Sequence, residues 1–265
     1  EGRKKESYRD ISIIQSFSPS QNLTLLTKAR RLWNSPKKSD AEIYIQSGGT
    51  PGLIPIYCLV HRKKYIKWLS CNRNVLLEGI HKKITFLTKI ALYIDIKFAH
   101  VIIAQNEFQR DIIVKKFKKK CVLIKNPINI PSSPHAKEDK KTEKNILWIG
   151  TIGSVKQPEL YLKIAEALPM YKFKIIGGRN DNQPEYYDVI KIKAKKISNL
   201  EFIGFVPYHK IQEHYKDASL LVNTSTIEGF PNTFLEAWIN YLPIVSLNVD
   251  PDEIICKNSL GFHSK

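Results

Sequence analysis

The sequence predicts an α/β chain of two successive halves, each a mainly parallel sheet covered by helices, and three observations predict it. Short apolar, strand-like runs alternate with helix-like stretches along the chain. A segment rich in Pro, Ser and charge interrupts that alternation near the middle, and the alternation then restarts. With 265 residues, 43% hydrophobic and 25% charged, the chain has material for one large domain or two small ones, and the interruption favours two. The expected division is residues 1–126, a linker over 127–144, and residues 145–265.

After an opening read as irregular, the first half offers strand-like runs at 42–46, 65–69, 101–104 and 122–124. The most apolar region, Ile84 to Ile103, is broken by Lys89, Asp95, Lys97 and His100, so it reads as a core helix followed by a strand rather than a membrane span. Asn106 followed by Gln109 resembles a capping box opening a helix to Phe117. The linker carries Pro131-Ser-Ser-Pro134 and Lys137-Glu-Asp-Lys-Lys141. In the second half, strands are expected at 146–149, 173–176, 200–203, 220–222 and 244–247. Leu160, Ile164 and Leu168 set one apolar stripe at helical spacing, and Tyr187, Ile190, Ala194 and Ile197 set another. Both halves are therefore Rossmann-like.

Four scattered cysteines, Cys58, Cys71, Cys121 and Cys256, show neither metal-ligand spacing nor a disulfide framework, and a reducing, cytoplasmic compartment is expected. The net charge of +17 comes from clusters such as Lys28/Arg30/Arg31, Arg62-Lys63-Lys64, Lys115-Lys116 with Lys118-Lys119-Lys120, and Lys140-Lys141. Three readings compete for it: a solvated face, attraction to an anionic membrane surface, and nucleic-acid binding. With no nucleic-acid motif, the last is the weakest. The histidines show no HExxH or other ligand spacing, and there is no GxSxG elbow, full P-loop or post-strand GxGxxG. Hydrolase, NTPase and dinucleotide oxidoreductase readings lose support accordingly.

In open parallel sheets ligands bind beyond the carboxyl ends of the strands, so the segments after each strand are the place to look. In the second half these are Gly150-Thr151-Ile-Gly153-Ser154-Val-Lys156, then Gly177-Gly178, Gly204-Phe-Val-Pro207, the run Thr226-Ile-Glu228-Gly229-Phe230-Pro231-Asn232-Thr233-Phe-Leu-Glu236, and Asn248-Val-Asp250-Pro-Asp252. Gly177-Gly178 is a weak signal, because strand ends often need positive φ. Pro231 suits a first helical position, which leaves the amides of Asn232 and Thr233 as donors to an anion. Long helical side chains lean toward the N-terminus, so Glu236 is expected to reach the pocket that Glu228 borders. Amides hold phosphate, and carboxylates accept hydrogen bonds from vicinal hydroxyls. The combination suits a phosphorylated sugar. A lysine at position 156, near a helix start, opposes the helix dipole by about 0.3–1 kcal/mol unless an anion lies between them. For Asp250 and Asp252, the intervening proline at a strand-to-helix turn makes capping a better reading than metal binding.

The spacing of Glu228 and Glu236 in Glu-Gly-Phe-Pro-Asn-Thr-Phe-Leu-Glu, preceded by Leu147-Trp-Ile-Gly-Thr-Ile-Gly-Ser-Val-Lys156-Gln-Pro-Glu159 and Phe202-Ile-Gly-Phe-Val-Pro207, resembles glycosyltransferase family 4. These are retaining group 1 glycosyl transferases of GT-B fold. The likeness is specific over roughly residues 100–255, and Asn126-Pro-Ile-Asn129 resembles the family segment closing the N-terminal domain. It implies two Rossmann-like domains facing across a cleft, the second binding a nucleotide-diphosphate sugar and the first a glycan or lipid-linked acceptor for polysaccharide synthesis. It further implies Glu228 and Lys156 as catalytic groups, Glu236 on the ribose, and Gly150, Thr151, Gly153, Ser154, Gly177, Gly178 and residues 229–233 around the donor, with no metal and no other cofactor. The family commonly has an arginine where Thr151 stands. It often has a first-domain histidine where Ser70-Cys-Asn-Arg-Asn74 runs here. Against family length the chain reads as truncated at both ends, with weak turnover expected of it. A nucleotide-sugar epimerase on the same fold, and a non-enzymatic basic scaffold for membrane or nucleic acid, are the alternatives. The compartment expected of the leading reading is cytoplasmic and peripheral on the inner face of the membrane.

Overall fold

A computed structural model of the chain describes residues 5–8, 11–14, 24–39, 41–76, 85–130 and 145–264. Clustered by proximity, it forms two compact units. The first comprises Glu1–Ser70, Asn74–Ala104 and Gln109–Leu123; the second comprises Cys71–Arg73, Gln105–Phe108 and Ile124–Lys265. Asn126 to Ile130 run without helix or strand, and the Pro131–Pro134 and Lys137–Lys141 stretches lie outside the described residues.

In the first unit, β1 (Lys5–Tyr8) and β2 (Ile11–Ile14) pair antiparallel, Lys5 opposite Ile14. Among the described residues of the opening, 5–8 and 11–14 are therefore not irregular. Four-residue strands carry too little alternation to stand out as a pattern. Next come α1 (Leu25–Asn34), β3 (Ile43–Ser47), α2 (Leu53–Val60), β4 (Lys64–Trp68), α3 (Arg73–Leu76), α4 (Phe86–Phe98), β5 (Val101–Ala104), α5 (Glu107–Phe117) and β6 (Cys121–Leu123). The strands β3-β4-β5-β6 form one parallel sheet in that order. Thr24 and Thr85 start α1 and α4, each hydroxyl accepting from the amide three residues on. Tyr57, Tyr65, Ile96, Ile102 and Ile113 fill the core. Within it, Lys67 of β4 and Asp95 of α4 make a buried ion pair, Nζ to Oδ2 2.7 Å.

The second unit continues with β7 (Asn145–Ile149), α6 (Pro158–Ala167), β8 (Lys172–Ile176), α7 (Pro184–Ala194), β9 (Leu200–Gly204), α8 (Tyr208–Lys216), β10 (Leu220–Asn223), α9 (Asn232–Ile239), β11 (Ile244–Ser246), α10 (Ile254–Lys257) and β12 (Gly261–His263). All six strands are parallel, in the order β12-β11-β10-β7-β8-β9. The sheet thus grows from β7 to β9 in one direction, then returns to β10 beside β7 and grows the other way. A crevice opens at such a reversal, because the connections leave β7 and β10 toward opposite faces. Alternating side chains feed two cores: Ile146, Trp148, Tyr161, Phe173 and Ile190 on one face, Leu147, Tyr215, Leu221, Phe234 and Ile244 on the other.

Three expectations are corrected here. The second half has a sixth strand, β12, which three residues after a turn did not announce. The fully buried face of α6 is Tyr161, Leu162 and Ala165, with Ile164 and Leu168 only partly buried. Tyr161 turns inward because its hydroxyl donates to the carbonyls of Ile146 (2.7 Å) and Lys174 (3.0 Å). Gly177 and Gly178 do not take positive φ, whereas Gly204 does, at 85°. Gly177 is needed for another reason. A Cβ there would lie 1.9 Å from the Gly150 carbonyl oxygen, so the β7 and β8 loops approach closer than any side chain permits. Among the described residues, no helix is long and apolar enough to cross a membrane.

Candidate functional site

The carboxyl ends of β7 and β10 lie side by side at the reversal point of the second sheet, and hydrogen bonds stitch their loops together. Thr224 Oγ1 donates to the Lys156 carbonyl at 2.6 Å, and the Thr226 amide donates to the Val155 carbonyl at 2.9 Å. The chain turns from Gly153 to Lys156, takes the left-handed region at Gln157 (φ 45°), and enters α6 with Pro158 at its first position. Lys156 therefore precedes the helix cap. Its side chain forms an ion pair with Glu228, the two side chains being 31% and 16% exposed.

Glu228 sits in the loop between β10 and α9, and Glu236 lies within α9. Glu236 is 6% exposed, with Oε2 accepting from the Tyr215 hydroxyl of α8 at 2.7 Å. Burial, with Glu236 close by, pushes the Tyr215 hydroxyl well above the usual phenol range, and Tyr208 is raised by the same causes. Tyr215 thus serves as the donor that orients the carboxylate. Pro231 is the cap of α9 rather than its first residue, so the helix opens at Asn232, and no side chain caps it. The amides of Asn232 and Thr233 lie at the first helical positions, where no intrahelical acceptor exists.

The loop ahead of α9 is held from other segments of the same unit. The Asn72 amide donates to the Glu228 carbonyl (3.1 Å), Asn106 Nδ2 to the Gly229 carbonyl (2.9 Å), and Asn126 Nδ2 to the Phe230 carbonyl (3.0 Å) and Asn232 Oδ1 (2.7 Å). Gly229, Phe230 and Pro231 are buried as a result, while Asn232 is exposed. Cys71 feels both charges of the pair. Burial pushes its thiol up, the Arg73 amide opposes this, and smaller contributions come from Glu228 upward and Lys156 downward. Neither Cys71, Asn72, Asn106 nor Tyr215 carries a sequence signal for these contacts; each arrives from a distant stretch of chain.

The remaining glycine-loop residues form a separate cluster. Ser154 is clamped by Gln183, its amide donating to Oε1 and its Oγ accepting from Nε2, both at 2.9 Å. A Cβ on Gly153 would meet Asn180 Nδ2 at 2.7 Å. Gly150 and Gly178 extend the pairing of β7 with β8, through Gly150 N to Ile176 O and Ile152 N to Gly178 O. Thr151 is exposed at the loop tip. Asp250 caps the turn after β11, Oδ1 accepting from Ile255 N at 2.8 Å, while Asp252 Oδ1 accepts from Glu107 N at 2.9 Å. The two aspartates hence serve different partners.

The arrangement offers a cation beside a carboxylate, an uncapped helix start and a second, buried carboxylate one helical segment on. The sequence profile of the glycosyl transferases group 1 matches residues 130–265. An uncharacterized glycosyltransferase of Methanocaldococcus jannaschii is 24% identical over 95% of this chain and 62% of its own length. The O-antigen biosynthesis glycosyltransferase WbnH of Escherichia coli is 26% identical over 49% of this chain and 35% of its own. Among solved structures, a TarM variant from S. aureus, in complex with Fondaparinux, alpha-GlcNAc-glycerol and UDP, superposes with a TM-score of 0.68 at 20% identity, covering 90% of this chain and 49% of that one. The chain thus spans less than two thirds of the length of these relatives.

Proposed function

The chain belongs to the glycosyl transferases group 1 and has their GT-B fold, and from that premise we propose that it moves a sugar from a nucleotide-diphosphate donor to a glycan or lipid-linked acceptor. The observation that carries this reading is the Lys156–Glu228 pair at the reversal point of the sheet, next to the uncapped start of α9. The UDP bound to the S. aureus neighbour favours a uridine diphosphate donor, and the E. coli relative favours polysaccharide synthesis.

In this reading Lys156 and the first amides of α9 receive the diphosphate, so the lysine exchanges Glu228 for phosphate when donor binds. Glu236, oriented by Tyr215, accepts hydrogen bonds from the ribose hydroxyls. Glu228 lies against the donor sugar. The bond from the anomeric carbon to the diphosphate breaks as an acceptor hydroxyl oxygen bonds to that carbon, and the hydroxyl proton passes to the departing phosphate. Configuration is retained. Charge on the leaving group is stabilised by the lysine and the helix start, the role a divalent ion fills in other transferases.

Glu236→Ala is expected to abolish the thermal stabilisation that a UDP-sugar gives, which at about 100 times the dissociation constant is roughly 2.7 kcal/mol. Glu228→Ala is expected chiefly to lower turnover. Tyr215→Phe, which removes the same hydrogen bond yet keeps the carboxylate, separates a folding loss from a binding loss. Unchanged donor binding and turnover in both glutamate variants refutes the assignment.

We also propose that the first unit rests on an anionic leaflet on the cytoplasmic side. Exposed Leu59 and Val60 are followed, after His61, by Arg62, Lys63 and Lys64, a pairing of apolar and basic groups suited to a lipid interface. Sedimentation with phosphatidylserine vesicles is expected to carry the protein down at low salt and much less at high salt. Protein left in the supernatant at both salt concentrations removes this part of the proposal.

A further inference from the structure

Three segments at the β12 edge of the second sheet converge on one point. A carboxylate oxygen of Asp250, after β11, the sulfur of Cys256, in α10, and a ring nitrogen of His263, on β12, all lie within 4.8 Å of one another. Among the described residues no other group of three His, Cys, Asp or Glu side chains is so gathered. The ring of His263 also carries a nitrogen that is buried without a hydrogen-bond partner, Nε2. Buried imidazole nitrogens ordinarily have partners, and a metal ion is one way of supplying what this ring lacks.

The surroundings fix the donors in place. Asp250 Oδ1 accepts from the Ile255 amide at 2.8 Å and Oδ2 from the Cys256 amide at 3.3 Å, so the carboxylate is oriented while each oxygen keeps a lone pair. On the strand side, β12 lies tight against β11, with His263 opposite Ser246. A Cβ on Gly261 would fall 1.9 Å from the Ile244 carbonyl oxygen, at a φ of 152°, so the glycine sets how closely β12, and with it the imidazole, is held.

We propose that Asp250, Cys256 and His263 bind one zinc ion, with water in the fourth position. A thiolate, an imidazole and a carboxylate match zinc rather than magnesium or calcium, which take oxygen donors. Zinc bonds of about 2.0–2.3 Å put tetrahedral donors roughly 3.3–3.8 Å apart, within reach of side-chain rotation from the observed spacing. Binding releases the thiol proton to solvent, so affinity rises with pH. The ion ties the edge strand to α10 and the β11 loop, two and three strands away from the β10 and β7 ends that hold Glu228 and Lys156, and the inference stands apart from the transferase reading.

The test uses the 265-residue chain with zinc alone, measured by competition with a chromophoric chelator, and with cobalt(II) as a spectroscopic substitute. One equivalent of zinc and a sulfur-to-cobalt charge-transfer band are expected of the parent. Cys256→Ser removes the band and weakens zinc at least about tenfold, the order that follows loss of even a supporting partner. Cys256 is exposed, so its serine variant keeps its circular dichroism spectrum. His263→Gln weakens zinc by a similar factor. Cys58, Cys71 and Cys121 remain in both variants, so equal affinity in parent and variants identifies an adventitious ion and overturns the site, as does a parent that binds no zinc.

Discussion

Lys156→Ala is expected to lower turnover of a UDP-sugar by about 10²–10³-fold, the cost of removing one preorganised group from a developing oxyanion. The expectation follows from where the lysine is held. Its backbone is pinned by Thr224, its ammonium group meets Glu228, and the loop ends two residues later at α6, which opens with Pro158. In the proposed transfer, charge that builds on the departing diphosphate would meet a cation already in place. Stability is expected to change by no more than about 1 kcal/mol, since a pair that keeps partial contact with water contributes little. That contrast between turnover and stability separates a chemical role from a structural one. Lys156→Arg keeps the charge but not the point geometry, and recovers only part of the rate. In the double variant Lys156→Ala with Glu228→Ala, the two losses are expected to combine less than additively, as groups acting on one leaving event do. Activity of Lys156→Ala within threefold of the parent, read as UDP release, sinks the assignment.

Much of this architecture is legible in the amino-acid order, for an identifiable reason. The inner strands β7, β8 and β10 of the second unit are largely buried, and such strands appear as short continuous apolar runs; Leu147, Ile175 and Leu221 mark them. The start of β12 and the antiparallel pair at the chain opening escaped because three or four residues hold too little periodicity. The stripe of Leu160, Ile164 and Leu168 does not include Tyr161, which turns inward because its hydroxyl finds carbonyl partners inside the core.

At the candidate site the order of residues announces the two glutamates and the lysine but not what surrounds them. Asn72 and Asn106 reach the loop before α9 from beyond the linker, and Tyr215 reaches Glu236 from a neighbouring helix. No spacing rule encodes contacts of that kind. The Asp250, Cys256 and His263 group shows the same limit, because parallel pairing of β12 with β11 gathers side chains that match no ligand motif. Asp95 is a third case. In the apolar stretch from Ile84 to Ile103 it reads only as an interruption, and its partner sits on a strand read as ordinary.

That partner gives the largest stability effect expected in this chain. Lys67 and Asp95 have side chains 3% and 1% exposed, and Asp95 also accepts the Gly52 amide at the start of α2 through Oδ1, at 2.8 Å. Lys67→Met fills the space left by the lysine stem yet strands a carboxylate in the core. Breaking such a pair from one side costs about 3–5 kcal/mol, because the remaining ion keeps its desolvation penalty and loses its counter-charge. Replacing both members removes that penalty: Lys67→Met with Asp95→Asn keeps an acceptor for the Gly52 amide and is expected to return to within about 1–2 kcal/mol of the parent. The measurement is urea unfolding, followed through the transition of the first unit, since two units need not melt together. A loss below about 1 kcal/mol in Lys67→Met means that water reaches the carboxylate, and the pair is then not the buried tie between β4, α4 and α2 that its geometry describes.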